Sequence, residues 1–248
     1  MFPVVLKTKY AFHALLWLLN PDVVLDIGSM DGADSKRFRT LLKKSDLVAF
    51  EANPENFALM NADAEIQKNR IRVLNQLISC KAGPQSFYIQ RPDTPKLSSN
   101  RGTSSALPRA ELGMLNEEVR IDSTRIDSFL NSDYSKATKI AMWVDVEGFA
   151  YEVLESMQGR TEHIHLIHVE VETKECWPRQ KLERDVLQLL ESMGYVLLAH
   201  GTNDVQRDLV LVSKSWYDSD AQSRINNMLR IARWAGPTLS RMLSAFPS

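Results

Sequence analysis

Two carboxylates end an apolar stretch in the middle of the chain. The run KIAMWV is followed by Asp145 and Glu147, which are separated by a single valine. Residues two apart in a strand share a face, so both side chains are predicted to project from one side of a sheet near its carboxyl edge. His168, Glu170 and Glu172 alternate in the same way at the end of a second apolar run. Buried acids are costly unless they are paired or used, so these five groups predict a polar site.

These residue types suit proton transfer from a hydroxyl group. A carboxylate or imidazole that is hydrogen-bonded to a hydroxyl can accept its proton, and such catalysis contributes about 10²- to 10⁴-fold in rate. We predict Asp145, Glu147, His168 and Glu170 as the catalytic residues. Asp145 is the leading candidate for a polar contact with a substrate, whereas His168 is the best base by its unperturbed pKa. Two alternatives stay open: a buried core position for His168, and capping of the next helix by Glu147.

A metal ion is a further use for clustered acids, because carboxylate oxygens suit hard cations such as Mg²⁺. The sequence contains neither the EF-hand nor the HExxH spacing, and Cys80 and Cys176 are its only cysteines. We therefore predict no required metal ion.

A second set of candidate residues surrounds a turn near the start of the chain. DIGSMDG, residues 26–32, follows the apolar run DVVLDI and precedes a helical pattern, where open α/β sheets bind nucleotide-like ligands. A dinucleotide fingerprint would have glycine in place of Met30 and no acid near the pyrophosphate. The acids favour a ligand whose reactive half is cationic, such as S-adenosylmethionine. The candidate ligand-binding residues of the turn are Asp26, Gly28, Asp31 and Gly32.

The segment AFEANP supports a ligand at this turn. It places Glu51 at the end of a second predicted strand, about twenty residues after the turn, where a carboxylate can accept both hydroxyls of a ribose. Asn53 follows in the same segment and is a further candidate cofactor-binding residue. A GxxxG turn alone is weak evidence, so a tight structural turn beside a solvated strand end stays open as the alternative.

These segments together resemble a known family. DIGSMDGADS, AFEANPENF, IDSTRIDSFL, KIAMWVDVEGFAYEVLESM and HIHLIHVEVE occur in the order and spacing of the FkbM-type S-adenosylmethionine-dependent methyltransferases. The resemblance covers roughly residues 22–213, and the combination of FEANP with DVEGxxYEVL is its most specific part. It implies a class I methyltransferase fold, which is Rossmann-like α/β: a seven-stranded, mostly parallel sheet with an antiparallel last strand and helices on both faces.

The resemblance also implies an activity, namely O-methylation of a hydroxyl on a sugar, glycan or glycolipid with S-adenosyl-L-methionine as the methyl donor. The turn residues, Glu51 and Asn53 would then hold the donor, and the catalytic candidates would face the acceptor. Met30 departs from the family pattern, because many relatives carry asparagine at this position.

The segment NRGTSSALP, residues 100–108, resembles the serine-containing loop that the family carries before its DSTRID segment. Arg101, Ser104 and Ser105 are candidate substrate-binding residues there, suited to sugar hydroxyls or a phosphate. An ordinary solvated loop is the alternative.

Short apolar runs alternate with helical patterns along the chain, which is typical of βαβ units and a parallel sheet. We predict that residues 71–79 form a third strand and that QSFYIQ pairs with it as a hairpin. The chain is divided into an N-terminal helical extension (1–21), the methyltransferase-like domain (22–214) and an amphipathic helical tail (215–248). The tail is basic, so it predicts contact with a membrane surface or packing on the domain or a second subunit.

Composition limits the remaining classes of partner and function. The chain has 248 residues, with 30 Lys plus Arg against 31 Asp plus Glu, and this balance predicts no nucleic-acid partner. Scarce cysteine fits a reducing compartment, so we predict a cytoplasmic protein, with a peripheral position at the inner membrane surface as an alternative. A nicotinamide-dependent oxidoreductase and a methyltransferase-fold binding module without turnover remain as rival functions.

Overall fold

The computed structural model describes residues 4–5, 7–92, 102–109 and 114–235, together with residues 238, 242 and 245. In chain order its elements are β1 (Val4–Val5), α1 (Thr8–Leu19), β2 (Val23–Ile27), α2 (Ala33–Leu41), β3 (Asp46–Phe50), α3 (Pro54–Ala62), α4 (Ala64–Lys68), β4 (Ile71–Leu74), β5 (Leu77–Ile78), β6 (Gly83–Pro92), β7 (Met114–Thr124), α5 (Ile126–Asp133), β8 (Ile140–Val144), α6 (Ala150–Glu155), a 3₁₀ turn (Gln158–Arg160), β9 (Ile164–Glu172), α7 (Glu183–Ser192), β10 (Tyr195–His200), β11 (Gln206–Ser213), α8 (Lys214–Tyr217) and α9 (Gln222–Ala235).

The main sheet has the strand order β1-β10-β11-β9-β8-β2-β3-β4. The strands from β9 to β4 are parallel to one another, whereas β11 runs antiparallel to both of its neighbours. The predicted fold is therefore confirmed: seven mostly parallel strands with an antiparallel last strand. The two-residue β1 adds a short parallel pair at the edge beside β10.

Helices cover both faces of this sheet, because the central strands are apolar on both sides. Alternate residues of one strand enter different cores, as Val24 and Leu25 do in β2. One face packs under α5, α6 and α7, and the other packs under α1, α2 and α9. Strands buried on both faces read as continuous hydrophobic runs, which is what the sequence shows in β2 and β8.

A second sheet of three strands has the order β5-β7-β6. The stretch 71–79 is therefore two strands, since β4 belongs to the main sheet and β5 to the second one. The predicted hairpin between this stretch and QSFYIQ was wrong. QSFYIQ lies in β6, which pairs antiparallel with β7, and β5 pairs with the other side of β7. Adjacency along the chain suggested a hairpin, but the pairing partner comes later in the sequence.

The first and last long helices, α1 and α9, pack against each other on the same face of the main sheet. Phe12 and Leu16 of α1 and Ile225 and Leu229 of α9 are buried there. The basic amphipathic helix predicted from the tail is thus observed, and its apolar side packs on the domain. The three-part division of the chain stays a prediction. Across the described parts of the chain, every helix is too short or too polar to cross a bilayer.

Candidate functional site

The turn between β2 and α2 requires glycine for two reasons. Gly28 has φ +86°, which side chains rarely adopt, and a Cβ atom there would lie 1.7 Å from the carbonyl oxygen of Asp145. Gly32 has φ +69°, and its Cβ would lie 2.3 Å from the Ile66 side chain. The close approach at Gly28 brings the ends of β2 and β8 together, so the turn and the predicted catalytic strand share one edge of the sheet.

We expect Gly28→Ala to destabilise the protein by about 3 kcal/mol, because the methyl group meets backbone rather than a flexible side chain. Gly194→Ala is the matched control: Gly194 has φ +82° but nothing within 4 Å of its Cβ position. Denaturant unfolding of both variants separates two effects on the free energy of unfolding. The positive φ angle destabilises both variants, whereas the steric clash destabilises only Gly28→Ala. Equal losses in the two variants would contradict this interpretation.

The two acids of the turn, Asp26 and Asp31, make hydrogen bonds that stabilise the turn. Asp26 is buried, and its carboxylate accepts a hydrogen bond from the Ser35 hydroxyl at 2.5 Å. Burial raises the pKa of Asp26 to about 7. Asp31 is exposed, and its carboxylate accepts the backbone N–H of Ala33 at 2.9 Å in the first turn of α2. Both carboxylates therefore have partners within the protein.

Glu51 lies at the end of β3 and faces the turn. Its two carboxylate oxygens accept the backbone N–H groups of Met30 at 2.6 Å and Asn53 at 2.7 Å. The side chain is 5% exposed, and burial raises the pKa of Glu51. The side chain of Asn53 caps α3 by accepting the N–H of Glu55. Met30 has φ +50°, so this non-glycine residue is held in the left-handed region where its N–H points at Glu51.

A cavity that is open to solvent on one side lies between Glu51 and the end of β8. Ligand cavities commonly combine apolar walls with a few polar groups. Here the walls include Phe50, Leu77 and Phe149, while Glu51 borders one part of the cavity and Asp145 and Glu147 border another. Gly28, Met30, Asn56 and Ser104 also line it, whereas Asp26, Asp31 and Gly32 do not.

Three carboxylates, which we call the acid cluster, meet at the carboxyl edge of the sheet. Asp145, Glu147 and Glu170 each offer an oxygen atom within 4.8 Å of the other two. The side-chain amide of Gln206 in β11 donates to Glu147 at 3.3 Å and to Glu170 at 3.0 Å. Glu147 has φ +49° in the turn after β8, so its side chain points into the cluster. The convergence predicted from the alternating strand ends is therefore present for these three residues.

Burial and mutual repulsion raise the pKa values across the acid cluster. The pKa of Glu147 rises to about 8, first because it is buried and then because Asp145 and Glu172 lie near it. Burial followed by repulsion from Asp145 and Glu147 also raises the pKa of Glu170. Burial and the nearby Asp208 raise the pKa of Asp145.

The same spacing would let one divalent cation bind three carboxylate oxygens. The nearby Glu172 is engaged elsewhere: it accepts the N–H of Gly148 at 3.1 Å and the amide of Gln180 at 2.9 Å. Its bonds hold the turn between β8 and α6. The alternative in which Glu147 caps the following helix is not observed, because the carboxylate of Glu147 contacts Gln206 instead.

The structure places His168 away from the acid cluster. Its ring is 1% exposed and stacks on the indole of Trp143 at a centroid distance of 3.5 Å, with Phe12 of α1 packed at its edge. Burial holds the pKa of His168 well below its usual range. The nearest carboxylate oxygen, from Asp208, lies 3.9 Å from Nε2. Its surroundings are those of the core position that the sequence left open.

We expect His168→Phe to retain turnover, because an aromatic ring of similar shape preserves the stack on Trp143. His168→Ala should instead lower stability by about 3 kcal/mol, since it leaves a cavity beside Trp143. Steady-state kinetics and thermal unfolding of both variants test this expectation. A folded His168→Phe protein without turnover would contradict this expectation and indicate that His168 is the catalytic base.

The serines of the predicted loop lie at the mouth of the cavity. Ser104 lines the cavity, and the Ser105 hydroxyl donates to the backbone carbonyl of Glu147 at 2.5 Å. The backbone of Ser105 also pairs with Tyr88 in β6, which fixes the segment in place. Arg101 lies outside the described residues, so its predicted contact stays a prediction.

Sequence reasoning missed two residues that complete the site. Gln206 and Asp208 share a face of β11 and lie opposite Glu172 and Glu170 in the antiparallel register. Gln206 bridges two members of the acid cluster, and Asp208 accepts the Thr8 hydroxyl at 3.0 Å. In the sequence, Gln206 and Asp208 stand on either side of Arg207 at the start of an apolar strand, so they share a face. That this face lies beside the acid cluster follows only from the register with β9.

Comparisons with known proteins give consistent results. Residues 26–197 match the family model described as the methyltransferase FkbM domain. The 2-O-methyltransferase NoeI of Sinorhizobium fredii (strain NBRC 101917 / NGR234) is 26% identical over 205 residues, which are 78% of this chain and 81% of NoeI.

Solved structures resemble the chain more distantly. The N-terminal domain of EvdMO1, crystallised in the presence of SAH and D-fucose, aligns with a TM-score of 0.44 and 11% identity, covering 84% of this chain and 83% of that one. Precorrin-6y C5,15-methyltransferase from Geobacter metallireducens GS-15 aligns with the same score and identity, covering 85% and 89%.

Proposed function

Because the chain belongs to the FkbM family of methyltransferase domains, we propose that it transfers the methyl group of S-adenosylmethionine to a hydroxyl group of a sugar or glycan. One observation carries this proposal: a single cavity joins the buried Glu51 to the acid cluster. The cavity lies at the carboxyl ends of β2, β3 and β8, where open α/β sheets bind their ligands.

The residues of the cavity fit the methyl donor. Each oxygen of Glu51 accepts one backbone N–H, and the Asn56 side chain is a third hydrogen-bond partner of this carboxylate. An ionised carboxylate has about four acceptor positions, so one position remains for a ribose hydroxyl. Phe50, Leu77 and Phe149 provide apolar walls for an adenine ring. The carboxylate of Asp145 supplies negative charge for the positively charged sulfur.

We assign the proton transfer to Asp145. When bound, S-adenosylmethionine supplies a methyl group on a positively charged sulfur. The acceptor hydroxyl must lose its proton, and Asp145 is a member of the acid cluster that also borders the cavity. A base works best when its pKa lies near the operating pH, and burial moves the pKa of Asp145 in that direction. Glu147 holds its proton at neutral pH and can donate a hydrogen bond to the acceptor.

A hydroxyl on a sugar is the acceptor that the surroundings support best. The relative NoeI is a 2-O-methyltransferase, which supports oxygen as the atom methylated. Ser104 and the amide of Gln206 provide polar contacts on either side of the acid cluster. A polyhydroxylated acceptor can use such contacts to select one hydroxyl among several.

Calorimetric titration with S-adenosylhomocysteine tests the proposal. We expect micromolar binding to the wild-type protein and an affinity about 100-fold lower in Glu51→Ala, because a hydrogen bond to a charged group is lost. Glu65→Ala is the control, since Glu65 is exposed and lies in α4 outside the cavity. The Tm of Glu51→Ala is measured in parallel, because its carboxylate also holds Met30 and Asn53.

NADH is titrated in the same experiment. Binding of NADH without binding of S-adenosylhomocysteine would overturn the proposal in favour of a nicotinamide-dependent enzyme. Binding of S-adenosylhomocysteine without turnover of any sugar acceptor would favour a binding module. All assays are repeated with EDTA, because the acid cluster has the spacing of a cation site.

A further inference from the structure

A second cavity opens on the other side of the acid cluster. This polar cleft measures about 460 Å³ and lies between the start of α1 and the connection from β10 to β11. Glu170 and Gln206 form the part nearest the acid cluster, Asn203 lies in the connection, and Lys7 and Lys9 come from the start of α1. Among the residues that the structure describes, none that lines the cleft has an aliphatic or aromatic side chain.

We infer that the polar cleft binds the acceptor, and that the acceptor is a sugar carrying an anionic group, either a phosphate or a carboxylate. This inference rests on the proposed methyltransferase function and adds the place and chemical class of its second substrate.

Position is the first argument. Glu147 and Asp145 line the first cavity, whereas Glu170 lines the polar cleft. The amide of Gln206 bonds to Glu147 at 3.3 Å and to Glu170 at 3.0 Å, so the acid cluster forms the boundary between the two cavities. A hydroxyl held beside Glu170 therefore lies next to Asp145 and Glu147, since the three carboxylates have oxygen atoms within 4.8 Å of one another. Because the methyl group passes directly from sulfur to oxygen, the two substrates have to meet at this boundary, where Asp145 can accept the proton.

The composition of the cleft is the second argument. Burying an apolar group against amides and charges is unfavourable, so a cleft whose described lining is polar rejects phenolic or lipid-like acceptors. The Gln206 amide nitrogen is used by Glu147 and Glu170, so its oxygen is the group that accepts, whereas the Asn203 oxygen is used by Val205, so its amide nitrogen is the group that donates. The hydroxyls of a sugar make the same two kinds of contact, and several of them fit a cleft of this size.

Charge is the third argument. Arg207 is paired with Glu183 at 3.0 Å, so these two charges offset each other. Asp208 also lines the cleft, and it offsets part of the charge of the nearby Lys9 and leaves Lys7 in excess. Within the described residues, neither Lys7 nor Lys9 has a carboxylate oxygen within 4 Å of its ammonium group. The first turn of α1 contains no acidic residue, so the positive end of the helix dipole adds to these two charges. The rim of the cleft thus attracts a negative group, while the hydroxyls lie toward Glu170.

The test measures binding of three sugars in the presence of saturating S-adenosylhomocysteine: glucose 1-phosphate, glucuronic acid and methyl α-glucoside. We expect at least one anionic sugar to bind the wild-type protein about 10-fold more tightly than the neutral one. The double variant Lys7→Gln/Lys9→Gln should lose this preference while its affinity for S-adenosylhomocysteine stays unchanged. Comparison of the two anionic sugars distinguishes phosphate from carboxylate.

The matched control is Lys43→Gln/Lys44→Gln, which removes two exposed lysines after α2, outside both cavities. Equal affinity for the neutral and anionic sugars would overturn the anionic class, and so would the absence of sugar binding. A preference that persists in Lys7→Gln/Lys9→Gln would overturn the assigned place. Failure of S-adenosylhomocysteine itself to bind is a different result, because it contradicts the proposed function rather than the cleft.

Discussion

Asp145→Asn lowers kcat by about 10²- to 10⁴-fold and leaves the affinity for S-adenosylhomocysteine unchanged, if Asp145 accepts the proton of the acceptor. Asparagine keeps the size of the side chain but cannot accept the proton at neutral pH. The control is Asp122→Asn in β7, which changes an exposed carboxylate away from both cavities. Single-turnover kinetics and calorimetry on the same preparations separate chemistry from binding.

The pH dependence of kcat gives a second measurement on the same variant. The wild-type rate should rise with pH as Asp145 loses its proton, because only the ionised carboxylate is a base. Burial raises the pKa of Asp145, so this rise occurs above the pH range of an ordinary aspartate. The residual activity of Asp145→Asn should lack the rise. A variant with the wild-type kcat and pH profile would exclude Asp145 as the base.

The second large effect concerns stability, which we expect Glu147→Gln to increase at high pH. Burial and the neighbouring carboxylates raise the pKa of Glu147 from 4.5 to about 8. A raised pKa means that the folded state holds the proton more tightly than the unfolded state does. This contribution to stability is complete below about pH 4.5 and is lost as the pH rises through about 8.

Glutamine has no proton to lose, so the advantage of Glu147→Gln over the wild type should grow between pH 5 and pH 9. At pH 9 we expect about 2 kcal/mol, or roughly 4–8 °C in Tm for a domain of this size. Glu191→Gln, at an exposed position in α7, should show the same Tm difference at every pH. A Tm difference for Glu147→Gln that did not change with pH would contradict the raised pKa of Glu147 in the folded protein.

Periodicity in the sequence predicted which side chains share a face, but it could not predict how deep along the strand each one lies. His168 and Glu170 project from the same face of β9, yet His168 lies about 7 Å further from the edge of the sheet. At that depth α1 covers the strand, so His168 packs against Phe12 and Trp143. The position of α1 depends on tertiary packing, which no local pattern reports.

Candidate residues at the first turn show a related limit. The motif identified Gly28, and the structure explains the glycine, because a Cβ atom at this position would lie 1.7 Å from the carbonyl oxygen of Asp145 just after β8. It could not distinguish a carboxylate that faces a ligand from one that stabilises the turn, as Asp26 and Asp31 do. The strand β7 was missed because Leu115 and the three residues that follow it are all exposed, so its first half lacks the alternation of a half-buried strand.

The packing of α1 has a consequence for synthesis on the ribosome. Residues 8–19 are made well before β9, β10, β11 and α9, which are the elements that α1 mainly contacts. Phe12 and Leu16 therefore leave the exit tunnel long before the strands and helix that bury them. The nascent chain must keep this apolar helix from aggregating until about residue 235 has emerged, which makes it a natural binding site for a chaperone during translation.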